Sequence, residues 1–185
     1  MTQRRDFLKR SAALASVISV PLIGRAAALP STASAAALRD RTLRMYNTHT
    51  GESIKATYWA EGRFVPEAMN DINKLLRDHR NNKVAQMDPK LLLLLDQVST
   101  QVKPGSVVHI ISGYRSPETN QMLADTTNGV AKHSMHLDGR AIDVRMPGSA
   151  LNDLRKAALA AGGGGVGYYP DSQFVHLDTG RLRHW

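Results

Sequence analysis

Two histidines and an aspartate offer the clearest chemistry in this sequence. His136 and Asp143 lie in Ser134-Met135-His136-Leu137-Asp138-Gly139-Arg140-Ala141-Ile142-Asp143, and His176 lies in Phe174-Val175-His176-Leu177-Asp178. Two imidazoles and a carboxylate meeting at one point would hold a divalent metal ion. The chain contains no cysteine, so nitrogen and carboxylate oxygen are the ligands on offer, a set that suits zinc. Three protein ligands leave a fourth position for water, which separates a catalytic zinc from a structural one, and the metal makes that water a nucleophile near neutral pH. The seven-residue step from His136 to Asp143 does not suit one helix face but suits a loop running into a strand, with Gly139 and Ala141 allowing a tight path. His176, between apolar neighbours, reads as part of a second strand. On spacing alone, the alternative is that these polar residues are unrelated.

The elements that must position them follow from patterning. Leu43–Asn47 and Ser53–Tyr58 alternate on either side of Thr50-Gly51-Glu52, which predicts a β-hairpin. Pro66 opens a helix with Ala68, Ile72, Leu75 and Leu76 at helical spacing, expected to end near Arg80-Asn81-Asn82. Asp88-Pro89 is an N-cap followed by proline at the first helical position, and the helix it opens should bury Leu91 to Leu95 and stop before Pro104-Gly105. The β-branched run Val107-Val108-His109-Ile110-Ile111 predicts a buried strand leading into Ser112-Gly113-Tyr114-Arg115. A third helix starts at Ser116-Pro117-Glu118, and residues 126 to 138 read as a polar loop. Ala141 to Met146 is a strand, Leu151 to Ala161 a fourth helix closed by Gly162 to Gly165, and Val166–Tyr169 and Gln173–Leu177 are strands about a turn at Pro170-Asp171. Helices early and strands late predict an α+β fold with a central, largely antiparallel sheet flanked by helices.

Composition narrows the setting. The chain has 185 residues, enough for one domain plus a leader, and a formal net charge of +8. Arg4, Arg5, Lys9, Arg10 and Arg25, set against Asp6, carry half of that excess, so the body is only mildly basic. Such a charge favours loose attraction to an anionic polymer such as a cell wall. Basic repeats interleaved with aromatics are missing, which speaks against nucleic acid as a partner. Arg4-Arg5-Asp6-Phe7-Leu8-Lys9 matches the twin-arginine export pattern, and Ser11 to Gly24 is an apolar run too short for a membrane span of about 20 residues. Small residues at Ala26-Ala27-Ala28 and Ala33-Ser34-Ala35 offer cleavage sites. Residues 1–28 therefore read as a twin-arginine signal peptide, 29–40 as an Ala-, Ser- and Pro-rich linker and 41–185 as the catalytic domain, delivered to the periplasm with no stable membrane span after cleavage. The other readings are an ordinary basic leader and an uncleaved anchor. Zero cysteines exclude disulfides, a cysteine nucleophile and a lipoprotein anchor together.

Several motifs in fixed order resemble the zinc DD-peptidase and hedgehog-like superfamily, which includes the vancomycin-resistance dipeptidases, and fit its MepK-like murein endopeptidase branch most closely. They are Thr48-His49-Thr50-Gly51-Glu52, Ile111-Ser112-Gly113-Tyr114-Arg115-Ser116, the run Ser134 to Asp143, Gly164 to Pro170, and Phe174 to Gly180. The resemblance spans the body from about Leu43 to Trp185. It implies zinc ligands at His136, Asp143 and His176, with Arg115 facing the metal to bind a substrate carboxylate or stabilise a developing anion. A salt bridge that merely orders the loop is the other reading of Arg115. Ser134 is placed to hydrogen-bond behind the first ligand.

The resemblance weakens at the general base. Related dipeptidases place Glu or Asp three residues before the last zinc histidine, where this chain has Gln173, which cannot accept a proton at a useful pH. Candidates nearby are Asp178, on the same strand face as His176 by period two, together with Asp171 and His133. Asp178 is equally readable as an acceptor that orients a ligand histidine, and His133 as a surface imidazole. His109 reads as a satisfied core residue, His49, His79 and His184 as residues without ligand partners, and Trp59 and Trp185 as packing. The resemblance therefore implies a zinc-dependent murein endopeptidase that cuts D-Ala–meso-diaminopimelate bonds, or bonds between two meso-diaminopimelates, in cross-linked stem peptides. The competing expectations are a non-catalytic zinc-containing wall-binding module and a carboxypeptidase or dipeptidase trimming stem peptides.

Overall fold

The computed structural model describes residues 39–126 and 133–185. The expected leader, linker residues 29–38 and part of the polar loop lie outside the described residues. Among the described residues no helix is long and apolar enough to cross a membrane. The strands are β1 (Arg41–Asn47), β2 (Ser53–Ala60), β3 (Arg63–Phe64), β4 (Val107–Ser112), β5 (Ala141–Arg145), β6 (Gly165–Tyr169), β7 (Phe174–Asp178) and β8 (Arg183–His184). The helices are α1 (Pro66–Leu75), α2 (Pro89–Val102), α3 (Pro117–Thr126) and α4 (Leu151–Ala161), with a 3-10 turn at Met135–Asp138. The architecture is α+β, as expected.

All eight described strands join one sheet in the order β3-β2-β1-β4-β5-β7-β6-β8. Its pairs are antiparallel except β1 with β4 and β6 with β8, so the sheet is mixed. The parallel β1–β4 pair follows from the two helices between them, because a parallel return needs a crossover. One face carries the core: Ile142 and Val144 on β5 and Val175 and Leu177 on β7 pack with Leu91, Leu92, Leu95 and Val98 of α2 and Leu154 and Ala158 of α4. Period two then sends Asp143, His176 and Asp178 to the opposite face.

Helix α1 ends at Leu75, about five residues before the end that apolar spacing suggested. The chain leaves the helix because its last carbonyls are claimed from outside. Leu76 O accepts from Tyr114 N at 2.7 Å, and Leu75 O accepts from the buried Asn47 side chain at 2.8 Å. Beyond it the carboxylate of Asp78, itself buried, accepts from Arg80 N and Ser116 N and so organises a turn in place of another helical turn. Helix α2 begins as predicted: the Asp88 side chain accepts from Lys90 N at 2.9 Å, with Pro89 at the first position. Its second oxygen accepts from Thr179 Oγ1 at 2.7 Å, tying α2 to the segment that follows β7.

Losing both bonds in Asp88→Ala should lower stability by about 1–2 kcal/mol in chemical denaturation, with the denaturant slope unchanged.

Candidate metal centre

Asp143 and His176 are directly paired across β5 and β7, so strand register alone sets their side chains against each other. His136 reaches the same point from the 3-10 turn. Ser134 starts that turn by accepting from His136 N, and Gly139 ends it in the left-handed region at φ 64°. A β-carbon at Gly139 would collide with the Gln86 carbonyl, so glycine is required there on two counts. A two-way clasp joins this turn to the loop after β4: Gly113 O accepts from His136 Nδ1 at 2.7 Å, and His136 O accepts from Arg115 N at 3.1 Å. Gly113 in turn packs on the end of α1 so closely that a β-carbon would meet the Leu76 carbonyl.

These contacts decide which ring nitrogens carry protons. The Gly113 carbonyl can only accept, so His136 Nδ1 is protonated and Nε2 presents its lone pair. Asp178 Oδ2 accepts from His176 Nε2 at 3.1 Å, which leaves His176 Nδ1 with its lone pair. His136 Nε2 and His176 Nδ1 are 3.3 Å apart, and they lie 3.4 Å and 2.8 Å from the Asp143 carboxylate. Three electron-pair donors thus converge in a buried spot, and only a cation satisfies them together. The donor set, two imidazole nitrogens and one carboxylate oxygen, fits a divalent metal, and all three lie within 4.8 Å of one another. Among the described residues no second cluster of this kind occurs.

Without a metal, a proton must serve. Burial opposes charge on His176, but hydrogen bonds to Asp143 and Asp178 outweigh it, and its pKa is pushed up to about 8. Burial likewise opposes charge on Asp143, yet the two imidazoles hold its carboxyl well below the usual carboxylate range.

The triad opens into a cavity of about 460 Å³, lined also by Arg115, His133, Ser134, Met135, Tyr169, Phe174, Arg183 and Trp185. Arg115 is held there by its backbone and by the Asp78 turn, which grips the neighbouring Ser116 N at 2.9 Å. Its buried Nε has no hydrogen-bond partner, and its Nη1 donates to Asn120 Oδ1 at a long 3.5 Å. Burial lowers its pKa, while Asp143 favours the charge. An underused guanidinium therefore faces the cavity beside the triad. The Thr48–Glu52 motif supports this from behind, since Glu52 clasps Arg77 with two bonds of 2.6 and 3.2 Å just before Asp78.

Asp178 sits differently from the triad. It is fully buried, lies outside the cavity lining, and accepts from His176, Gly165 N, Gly180 N and Arg183. Burial opposes its charge, but the bonds from His176, Gly180, Arg183 and Gly165 keep its carboxyl well below the ordinary range. Gln173 is turned out of the site: its backbone is left-handed at φ 57°, and its amide donates to Pro170 O. Asp171 is exposed on the same turn.

Other sequence-based expectations change. Trp185, read as packing, is 47% exposed and lines the cavity, its ring centroid 5.4 Å from that of His176. Trp59 does pack, edge-on to Phe64. His109 is in a strand against Tyr46, but its buried Nδ1 lacks a partner, so it is not the satisfied core residue expected. His49 and His79, far apart in sequence, stack at 3.9 Å. Burial and the nearby His49 push the His79 pKa down to about 4. Tyr169, Phe174 and Arg183 were not singled out from sequence. Phe174 could have been found from its place two residues before His176, whereas Tyr169 comes near only through its pairing with Phe174 and Arg183 only through the pairing of β8 with β6.

A family model described as "Peptidoglycan L,D-endopeptidase MepK" matches residues 35–185. The Peptidoglycan L,D-endopeptidase MepK of Escherichia coli K12 is 45% identical over 156 residues, covering 84% of this chain and 86% of that protein. The Shigella flexneri protein of the same name gives the same figures. A Haemophilus influenzae protein named "Probable peptidoglycan L,D-endopeptidase MepK" is 38% identical over 148 residues, 80% of each chain.

The electrostatics of the metal-free triad make a prediction. A folded-state pKa raised from 6.5 to about 8 at His176 contributes stability that is complete below pH 6.5 and lost as the pH rises through about 8. Thermal melts in chelator should therefore weaken across that window, by an amount of ~1–2 kcal/mol, and added zinc should remove the dependence.

Proposed function

This chain belongs to the family of peptidoglycan L,D-endopeptidases described as MepK, and we propose on that premise that it hydrolyses the amide joining two meso-diaminopimelates of neighbouring stem peptides. In that cross-link the carbonyl comes from an L-centre and the amine from a D-centre, which fits the L,D descriptor of the relatives. A D-Ala–meso-diaminopimelate bond joins two D-centres and does not. The observation that carries the reading is one cavity in which the underused Arg115 guanidinium faces three converging electron-pair donors.

His136, Asp143 and His176 hold the metal, and we assign zinc because the ligands are nitrogen and carboxylate oxygen. Bound there, it supplies Lewis acidity toward a carbonyl and lowers the pKa of a water. Arg115 stabilises the negative charge that grows on the scissile carbonyl oxygen; its loss of solvent strengthens that interaction. Proton transfer falls to His133, a cavity-lining imidazole outside the ligand set, since an imidazole takes and returns protons best near neutral pH. Asp178 keeps His176 in the tautomer that offers Nδ1, rather than shuttling the proton itself. Tyr169, Phe174 and Trp185 form an aromatic wall for the aliphatic chain of the substrate. The anionic wall lies outside the cytoplasm, and the Arg4-Arg5 leader supports export to the periplasm through the twin-arginine machinery.

Purified muropeptides read by mass spectrometry test this. Dimers linked through two diaminopimelates should yield monomers, and chelator should stop the reaction until zinc is restored. Cleavage of D-Ala-linked dimers or of uncross-linked stems instead would overturn the assigned bond, and binding without cleavage would make the chain a wall-binding module. His136→Ala should abolish turnover with the fold retained. Arg115→Ala should lower kcat by roughly 10²–10³-fold. His133→Ala should lower it by roughly 10²–10⁴-fold without changing zinc affinity.

A further inference from the structure

Outside the ligand set, His176 is held by a single carboxylate oxygen, Asp178 Oδ2, so whatever fixes that oxygen helps to orient the ligand. Asp178 Oδ1 accepts from Gly165 N at 3.0 Å, Gly180 N at 2.8 Å and Arg183 Nη1 at 3.1 Å. Oδ2 is shared by His176 Nε2 at 3.1 Å and Arg183 Nη2 at 2.7 Å. The two backbone donors act on one oxygen only and would let the carboxylate pivot about it. The arginine grips both oxygens, which fixes the plane of the carboxylate and aims Oδ2 at the histidine. The guanidinium is itself seated, since its carbon lies 5.0 Å from the centre of the Trp185 ring. Room for the pair exists because residue 165 is glycine: a β-carbon there would collide with both the Asp178 carboxylate and the Arg183 guanidinium.

We propose that Arg183 is a positioning residue of the metal centre, acting through the Asp178 carboxylate to hold His176 in its ligating orientation. This rests on the assignment of His136, Asp143 and His176 as metal ligands. It gives β8, a two-residue strand at the sheet edge beside β6, a role in the chemistry that its length does not suggest.

Zinc affinity of the full chain, measured by competition against a chromophoric chelator, reads the effect apart from turnover. Arg183→Gln should weaken zinc binding by roughly 10–100-fold, with Arg183→Lys in between because a single ammonium cannot grip both oxygens. In an Asp178→Asn background, Arg183→Gln should change affinity by no more than about twofold, since its route to His176 is already cut. On the cross-linked dimer, KM of Arg183→Gln should stay at the wild-type value. Unchanged zinc affinity with a raised KM would overturn the proposal and make Arg183 a substrate contact. Equal losses in the wild-type and Asp178→Asn backgrounds would overturn it as well, because the arginine would then act independently of the carboxylate. Circular dichroism of the metal-free variants checks folding, and should Arg183→Gln fail to fold, wild-type zinc affinity in Arg183→Lys overturns the proposal by itself. A wild-type chain that takes up no zinc would instead refute the metal centre on which the proposal stands.

Discussion

Convergence of three electron pairs on one buried point is the constraint from which the rest of this molecule follows. Asp143 and His176 face each other across β5 and β7, and His136 closes the triangle from a 3-10 turn. Left unbalanced, such an arrangement repels itself, so each imidazole lone pair has to be held in place by an acceptor that takes the N–H on the far side of its ring. Gly113 O does this for His136 and Asp178 for His176. The core on the other face of the sheet supplies the rigidity these fixed distances need, through Ile142, Val144, Val175 and Leu177, which alternate with the site residues.

Much of this was legible in the sequence because it is written in local rules. The Asp88-Pro89 cap, the alternating hairpin strands and the glycine-closed α4 each depend on near neighbours, and the structure contains them. The end of α1 was not legible. Leu75 and Leu76 continue the helical apolar pattern, yet their carbonyls bond to Asn47 and Tyr114, which are distant in sequence. The same holds for the parallel pairs that make the sheet mixed. At the site, the triad and Arg115 could be named from residue type and spacing with the family resemblance. Asp178 stood between two readings because period two puts proton donor and orienting acceptor on the same strand face. Its burial and its four donor residues, His176, Gly165, Gly180 and Arg183, are what favour the orienting role proposed above. Trp185 escaped because nothing in a lone tryptophan tells a core residue from a cavity wall; the absence of a side chain at Gly167, against which the indole lies, makes the difference.

Charge is distributed in the cavity with a consistent logic. The carboxylates are already engaged, Asp143 by the imidazoles and Asp178 by Arg183 and backbone amides, whereas Arg115 keeps buried donor capacity unspent. On the function proposed above, an anionic substrate group or a developing oxyanion would meet a cation that has little else to bind. Neutral aromatic surface from Tyr169, Phe174 and Trp185 completes the wall.

The clasp between Gly113, His136 and Arg115 has one more consequence. Because the carbonyl that fixes the first ligand sits two residues before the arginine, and the ligand's own carbonyl holds that arginine's amide, the two move as one mechanical part. Their separation cannot be adjusted by changing either alone. A substitution in the 3-10 turn would therefore be felt at Arg115, and one in the loop after β4 at His136, so the two segments can change only together.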